Sequence, residues 1–147
     1  MQHLLPEYYQ MVEACIASLG IDPAITKSEK AGQYSLQKGS APVWVDVFYD
    51  SNNQCNYIQV MAPVVQVPAT NTLAFYEEIM KTNHNLFGVG FTQFDSWVYL
   101  KTIRECDNLQ QEEVMAMLNR IGNYADQYDD EFKNKYHNGV SSRKSDD

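Results

Sequence analysis

The sequence lacks the features on which several classes of protein depend. Only 11 lysines and arginines stand against 19 aspartates and glutamates, which gives a net charge of −8. Nucleic-acid phosphates and anionic membrane surfaces both select clustered basic residues, so we expect neither nucleic acid nor membrane as a partner. No apolar run approaches the ~18 residues of a membrane-spanning helix. The first residues also lack the basic and apolar segments of a signal peptide.

Cysteine is scarce and unpatterned. Cys15, Cys55 and Cys106 are odd in number, widely spaced and outside any Cys-x-x-Cys motif. A small secreted domain held together by disulfides would carry an even set at close spacing. The pattern therefore predicts reduced thiols in a cytoplasmic protein.

Motifs for catalysis and cofactor binding are missing as well. His3, His84 and His137 stand far apart, without the paired spacing of a metal site. Gly88-Val89-Gly90 lacks the further glycine and the following helix of a dinucleotide loop, and is interpreted as strand positions against which another segment packs. We therefore expect no cofactor, no metal and no enzyme activity.

Apolar periodicity predicts an α+β fold in the order α-β-β-β-α-β-β-α. The predicted elements are a helix from Pro6 to about Leu19, strands at Gln33–Lys38, Val43–Tyr49 and Asn56–Val67, a helix at Thr72–Asn83, a hairpin of Phe87–Gln93 and Trp97–Ile103, and a helix from a cap at Asn108 to about Tyr136. Because short turns join most strands, the five-stranded sheet should be largely antiparallel and packed by helices. We expect a single domain over residues 1–137, a loop over 21–30 and a disordered polar tail over 138–147.

Two of these elements carry more specific predictions. Pro63 cannot donate a ladder hydrogen bond, so its strand should either bulge there or lie at an edge of the sheet. In the helix at 72–83, the three- and four-residue spacing of apolar side chains predicts a buried stripe. That stripe comprises Leu73, Tyr76, Ile79 and Met80.

Aromatic residues alternate with aliphatic ones along three of the strands. The aliphatic side should face the core, because successive side chains of a strand point to opposite faces. The second side carries Trp44, Asp46 and Phe48 on one strand, Tyr57, Gln59 and Met61 on the next, and Trp97, Tyr99 and Lys101 on the last. A contiguous patch of this kind marks an interface unless a helix covers it, and the pattern leaves both outcomes open.

The second half of the chain resembles the type III secretion chaperone-like superfamily, which includes CesT/Tir-type chaperones and YbjN-like proteins. The segment Asn83-His84-Asn85-Leu86-Phe87-Gly88-Val89-Gly90-Phe91 is similar to the family's helix end and hairpin entry. Trp97-Val98-Tyr99-Leu100-Lys101-Thr102 is similar to its second hairpin strand, and the element order extends the resemblance over residues 4–136. The resemblance implies an acidic, often dimeric protein that binds protein segments without ATP.

The leading hypothesis is thus a non-enzymatic module, chaperone-like or regulatory, that binds a protein segment or a second copy of itself through a sheet face and strand edges. The predicted binding residues are Trp44, Phe48, Tyr57, Met61, Trp97 and Tyr99. The alternative is a small-ligand binder or enzyme near the second hairpin. Its site would be assembled from His84, Tyr99, Arg104 and Asp107.

An acidic cluster near the end of the chain has two interpretations. It comprises Asp126, Asp129, Asp130 and Glu131. A solvated helix face accounts for such a cluster most simply. A docking surface for a basic partner is the second interpretation.

Overall fold

Five strands form one antiparallel sheet, and the two longest helices pack on one of its faces. The computed structural model of the protein describes residues 4–137. Its elements are α1 (Leu5–Ser18), α2 (Pro23–Thr26), β1 (Gln33–Lys38), β2 (Ala41–Asp50), β3 (Cys55–Gln66), α3 (Thr72–Asn83), β4 (Gly90–Phe94), β5 (Trp97–Glu105) and α4 (Gln111–Tyr136). This confirms the predicted α+β class and element order. The predicted tail over 138–147 lies outside the described residues.

The short helix α2 corrects the prediction of a loop over residues 21–30. Pro23 stands at its first position, where a missing N–H costs nothing. The Asp22 carboxylate accepts a hydrogen bond from the backbone N–H of Ala24 at 3.0 Å and caps the helix. The capping by Asp22 and the burial of Thr26 together stabilise this single turn of helix.

The sheet has the strand order β1-β2-β3-β5-β4, with every neighbouring pair antiparallel. Because β3 has a neighbour on each side, the prediction that Pro63 marks an edge strand is wrong. The alternative prediction of a bulge is confirmed, since the pairing of β3 with β5 shifts between Pro63 and Val65. Val64 and Val65 are both buried beyond the shift, which interrupts the alternation of the strand.

The core lies between the sheet and the helices α1 and α4. On the strands it takes the aliphatic side, including Val43, Val45, Val47, Ile58, Val60 and Leu100. From α4 it takes Val114, Leu118, Ile121, Ala125 and Phe132 at the predicted spacing, while Tyr128 of the same stripe is only half-buried. Within residues 4–137, no helix is both long and apolar enough to cross a lipid bilayer.

Helix α3 has the predicted bounds, but its predicted buried stripe is wrong except at Ile79, which is half-buried against the core. Phe75 is its only fully buried residue, whereas Leu73, Tyr76 and Met80 are 74%, 40% and 71% exposed. Phe75 packs edge-on against Phe132 and Tyr136 of α4, with ring centroids 6.3 and 5.0 Å away. The helix touches β4 and the end of α4 instead of lying across the sheet. Only one side of α3 is consequently buried, and the apolar side around Met80 faces outward.

Among the boundaries that differ from the predicted ones are the starts of α4 and β4. Helix α4 is capped by Gln110, whose N–H donates to Glu113 Oε1 at 2.8 Å, and Asn108 instead takes a left-handed turn at φ 60°. Strand β4 begins at Gly90, because Gly88 adopts φ 71° and breaks the extended chain before it. Asn108, which was predicted to cap the helix, and Gly88, which was predicted to lie in the strand, are both turn residues.

Candidate protein-binding face

The side of the sheet opposite α1 and α4 is an open aromatic surface. We call it the open face, and it comprises Trp44, Asp46 and Phe48 of β2, Tyr57, Gln59 and Met61 of β3, Phe94 of β4, and Trp97, Tyr99, Lys101 and Ile103 of β5. Trp44 and Trp97 are each 37% exposed, Ile103 is 46% exposed and Phe94 is 69% exposed. The helices among the described residues therefore leave this face accessible.

Strand register brings the aromatic side chains into contact across the open face. Trp44 is paired with Met61, and the Trp44 ring lies 6.0 Å from that of Tyr99 at an angle of 48°. Phe48 is paired with Tyr57, and their rings are stacked with centroids 5.9 Å apart. Such offset and tilted ring pairs hold each other's rotamers in place.

All six residues predicted for binding thus lie on one face of the sheet. Trp44, Phe48, Tyr57, Met61 and Tyr99 occupy its middle, and Trp97 lies at the end of β5 where it pairs with Gln66. Ile103 and Phe94 also lie on this face and were not among the predicted binding residues. Both carried a signal, since Ile103 shares the alternation of Trp97 and Tyr99, and Phe94 closes the hairpin opposite Trp97.

Asp46 is the acidic residue in the middle of this surface. Its register neighbours are Gln33 on β1 and Gln59 on β3, so a polar row crosses the sheet between Trp44 and Phe48. Its Oδ1 atom is buried and has no hydrogen-bond partner in residues 4–137. Burial raises the pKa of this carboxyl group, and Lys30 and the Gln33 side chain only partly offset the rise.

A cavity of about 260 Å³ opens beside this carboxylate. Trp44, Asp46, Gln59 and Met61 line it from the open face, and Gln33 and Ser35 line it from β1. The Gln59 amide donates to Met61 Sδ at 3.4 Å, which leaves its carbonyl oxygen as an acceptor. The cavity therefore combines an aromatic wall, a thioether and oxygen acceptors, with one carboxylate among them.

Arg104 and Asp107 of the alternative site contact each other, but the four predicted residues do not share one side of the sheet, and His84 stands at the C-terminal end of α3. Tyr99 and Arg104 lie on opposite sides of β5, because successive side chains of a strand alternate between its two faces and these two residues are five positions apart. The Arg104 guanidinium instead contacts Glu113 Oε2 at 3.1 Å and donates to the backbone oxygen of Asp107 at 3.0 Å, at the entry to α4. Residues 4–137 also contain no group of three histidine, cysteine or acidic side chains placed to hold a metal ion.

Part of the acidic cluster on α4 has a structural partner. Asp126 Oδ1 accepts a hydrogen bond from the backbone N–H of Ser40 at 2.9 Å, and the Ser40 hydroxyl lies 2.8 Å from that oxygen and 2.7 Å from Asp129 Oδ2. These donors lower the pKa of Asp126. Gly39 fits here because a Cβ at that position would lie 2.5 Å from Asp126 Oδ1. The cluster therefore ties the β1–β2 turn to α4.

Both outer strands of the sheet are partly covered. The backbone N–H of Ser28 donates to the backbone oxygen of Gln33 at 3.0 Å, and Lys27 forms an isolated antiparallel β-bridge with Tyr34. The segment at 27–28 therefore lies beside the start of β1. On β4, the backbone N–H of Phe91 donates to the Asn83 side chain at 2.7 Å. Such partial coverage limits pairing of these edges with further strands.

Comparisons with known proteins bear on the whole domain. A family model described as "T3SS (YopN, CesT) and YbjN peptide-binding chaperone 1", abbreviated TY-Chap1, matches residues 7–142. No curated protein matches the sequence.

Solved structures share the fold at low sequence identity. The ExsC–ExsE complex matches with 15% identity and a TM-score of 0.62, over 86% of this chain and 93% of that one. The HopA1–SchA chaperone–effector complex matches with 8% identity and a TM-score of 0.61, over 84% and 93%. The Yersinia pestis secretion chaperone SycH, solved with a fragment of YscM2, matches with 12% identity and a TM-score of 0.57, over 82% and 98%.

Proposed function

Because the chain belongs to the TY-Chap1 family of type III secretion and YbjN peptide-binding chaperones, we propose that it binds an extended segment of a client protein across its open face. The bound segment lies over Trp44, Met61 and Tyr99 and makes no covalent contact with the chain. The role is one of holding, without catalysis. The resemblance read from residues 83–91 and 97–102 is confirmed at the level of the family and the fold.

The exposure of the open face carries this proposal. Tryptophan, tyrosine, phenylalanine and methionine are the side chains enriched at the centres of protein interfaces, and here they form one surface. A fully buried aromatic side chain removes ~150–250 Å² from water, but Trp44 and Trp97 keep only 37% of their surface exposed for a partner to cover. Each Å² covered contributes ~25 cal/mol. A segment that covers four or five of these side chains therefore gains several kcal/mol before any hydrogen bond forms.

The packing of the face also favours binding. Trp44 is held against Tyr99, and Phe48 is held against Tyr57, before any partner arrives. Ordering one long side chain at an interface costs ~0.5–1.5 kcal/mol. Rings that already restrain one another lose less freedom, so more of the burial energy remains for affinity.

A displayed library of random linear peptides tests the proposal without knowledge of the client. Wild-type protein should enrich a shared apolar motif, and the triple variant Trp44→Thr, Phe48→Thr, Trp97→Thr should not, because it removes the aromatic surface while keeping strand-forming residues. Circular dichroism establishes that the variant folds. A folded triple variant that enriched the wild-type motif with equal yield would rule out the open face as the site.

The matched control removes a comparable apolar surface elsewhere. The control variant removes the apolar side chains from the outer side of α3, a surface that takes no part in the proposed peptide binding. It combines Leu73→Thr, Tyr76→Thr and Met80→Thr. This control should enrich the same motif as the wild-type protein. Loss of the motif in the control would show that the binding site includes α3.

We further propose that the chain pairs with a second copy of itself through the outer side of α3. Leu73, Tyr76 and Met80 recur at helical spacing and are exposed, as is Phe87 just beyond the helix. A helix with one such stripe is self-complementary about a two-fold axis, because the same residues meet from both copies. Light scattering at two protein concentrations separates this dimer from a monomer.

We also propose that the protein resides in the cytoplasm. All three cysteines are unpaired, and Cys15 and Cys106 are buried. Burial raises the pKa of Cys106 to about 12, so its thiol stays protonated and unreactive at neutral pH. Alkylation of the denatured protein from freshly lysed cells should modify all three thiols. A disulfide found there would contradict a reducing compartment.

A further inference from the structure

We propose that Asp46 makes the open face selective for client segments that carry an arginine, whose guanidinium enters the cavity beside Trp44. The inference rests on the proposed binding function and specifies its ligand. It gives the open face a shielded carboxylate that chooses among clients.

The position of Asp46 is the first reason. It stands in the middle of β2, in register with Gln33 and Gln59, and with aromatic residues two places before and after it in the strand. A carboxylate at the exposed rim would be hydrated, and an ion pair between it and a ligand would add little to the affinity. Here Oδ1 is shielded from solvent and has no partner in residues 4–137, so the negative charge is poorly compensated.

The charges of the protein itself do not satisfy this carboxylate. Lys30 lies near enough to act on Asp46 electrostatically, yet the ion pairs formed within residues 4–137 are Lys27–Glu13, Arg104–Glu113 and Lys135–Glu78. Lys101 lies on the same face two strands away, in register with Met61. A cation from a partner can therefore reach Asp46 without displacing an ion pair.

The lining of the cavity matches a guanidinium group. An arginine plane stacks on an indole, and its N–H groups need several oxygen acceptors in one place. Trp44 supplies the ring, Asp46 the carboxylate and Gln59 an amide oxygen, while Met61 supplies a polarisable contact for the aliphatic stem. An acidic side chain would meet Asp46 with like charge, so the same site excludes acidic segments.

Peptide selection on wild-type protein and on Asp46→Asn tests the inference. Wild type should enrich peptides with arginine at a fixed spacing from apolar residues, and Asp46→Asn should enrich the apolar residues without the arginine. Glu105→Gln is the control, because it removes one charge from the neighbouring row of the sheet and does not line the cavity. It should keep the arginine preference.

Affinities of one resynthesised peptide then give the size of the effect. Replacing its arginine by the neutral isostere citrulline should weaken binding to wild type by ~10-fold or more, as expected for a hydrogen-bonded charge pair. The same replacement should change binding to Asp46→Asn by less than ~3-fold, since one partner is already missing.

The outcomes separate the two proposals. Enrichment of apolar peptides without any basic preference, or an arginine preference that survives in Asp46→Asn, overturns the selectivity and leaves binding by the open face standing. A wild-type protein that enriches no peptide overturns the binding function itself, and with it the selectivity that depends on it.

Discussion

The open face and the outer side of α3 are both apolar and exposed, but they are built differently. On the open face the rings pack against one another across strands, so Trp44 retains only 37% exposure. On α3 the side chains of Leu73 and Met80 stand apart, with 74% and 71% exposure. The sheet surface is broad and rigid, whereas the helix surface is a narrow stripe of flexible side chains.

This difference suits the two surfaces to different partners. A rigid aromatic surface with a carboxylate at its centre can discriminate among segments of different sequence, because each position offers a distinct chemistry. A narrow apolar stripe without a charged position recognises little beyond another stripe of the same spacing. We therefore propose client binding for the open face and self-pairing for the outer side of α3.

The largest expected effect concerns the anchor of α3. Phe75→Ala should lower the free energy of unfolding by ~3–5 kcal/mol, because it empties a site fully buried against Phe132 and Tyr136. Met80→Ala, on the exposed side of the same helix, should change it by no more than ~0.5 kcal/mol. Chemical denaturation measures both, at protein concentrations low enough to keep the chain monomeric, since loss of a dimer contact would otherwise add to the effect of Met80→Ala. Similar losses in the two variants would mean that the outer side of α3 is not a free surface.

The next prediction separates self-pairing from client binding. Leu73→Lys with Met80→Lys should weaken the dimer by at least ~10-fold, because two lysines from each copy would meet at the interface. Asn123→Lys with Gln127→Lys makes the same change of charge on the exposed side of α4 and should leave the dimer intact. Sedimentation analysis gives the dissociation constants. A dimer unaffected by the α3 variant would move the self-contact to another surface.

A smaller effect concerns the charge on the open face. The pKa of Asp46 is raised in the folded protein, so its contribution to stability is present at low pH and lost as pH rises through the folded value. Asp46→Asn should therefore be more stable than wild type near neutral pH, by less than ~1 kcal/mol because the group is only half-buried. The difference should shrink below the unfolded pKa of 3.8. Thermal melts over this range would contradict the assignment if wild type were the more stable at neutral pH.

The smallest expected effect, the loss of stability in Ser40→Ala, depends on pH through a carboxyl group whose pKa is lowered, whereas the pKa of Asp46 is raised. Ser40 lowers the pKa of Asp126, so their contact stabilises the fold above the ordinary pKa of that carboxyl and is lost as pH falls through the folded value. Ser40→Ala removes the hydroxyl and keeps the backbone donor. Its deficit in stability relative to wild type should be greatest near neutral pH and should vanish in acid. A deficit that persisted unchanged in acid would place the role of Ser40 elsewhere.

The sequence predicted the sheet more accurately than the helix α3, for a physical reason. In β2 and β3 the two sides of each strand differ in chemistry, since Val45 and Val60 alternate with Asp46 and Gln59. In α3 both sides are apolar, so periodicity could not tell whether Phe75 or Met80 faces inward. The deciding contact is with Phe132 of α4, which lies far away in the sequence.

The candidate site was predictable in its membership but not in its details. Alternation alone placed the six aromatic and methionine positions on one face. The burial of Asp46 depends on which strands flank β2, and strand order does not follow from local pattern. Pro63 had two possible interpretations because strand order was unknown. A proline, which lacks the N–H donor, is tolerated both in an edge strand and at a bulge in a central strand.

The bulge at Pro63 has a consequence for solubility. A flat sheet with an aromatic face would be prone to stack on the same face of another copy. A bulge increases the local twist of the strand that carries it, and here that strand is β3, the middle one of five. Two twisted sheet faces touch over only part of their area, whereas a flexible chain can follow the twist. The irregular pairing beside Pro63 thus favours a pliant client over a rigid duplicate.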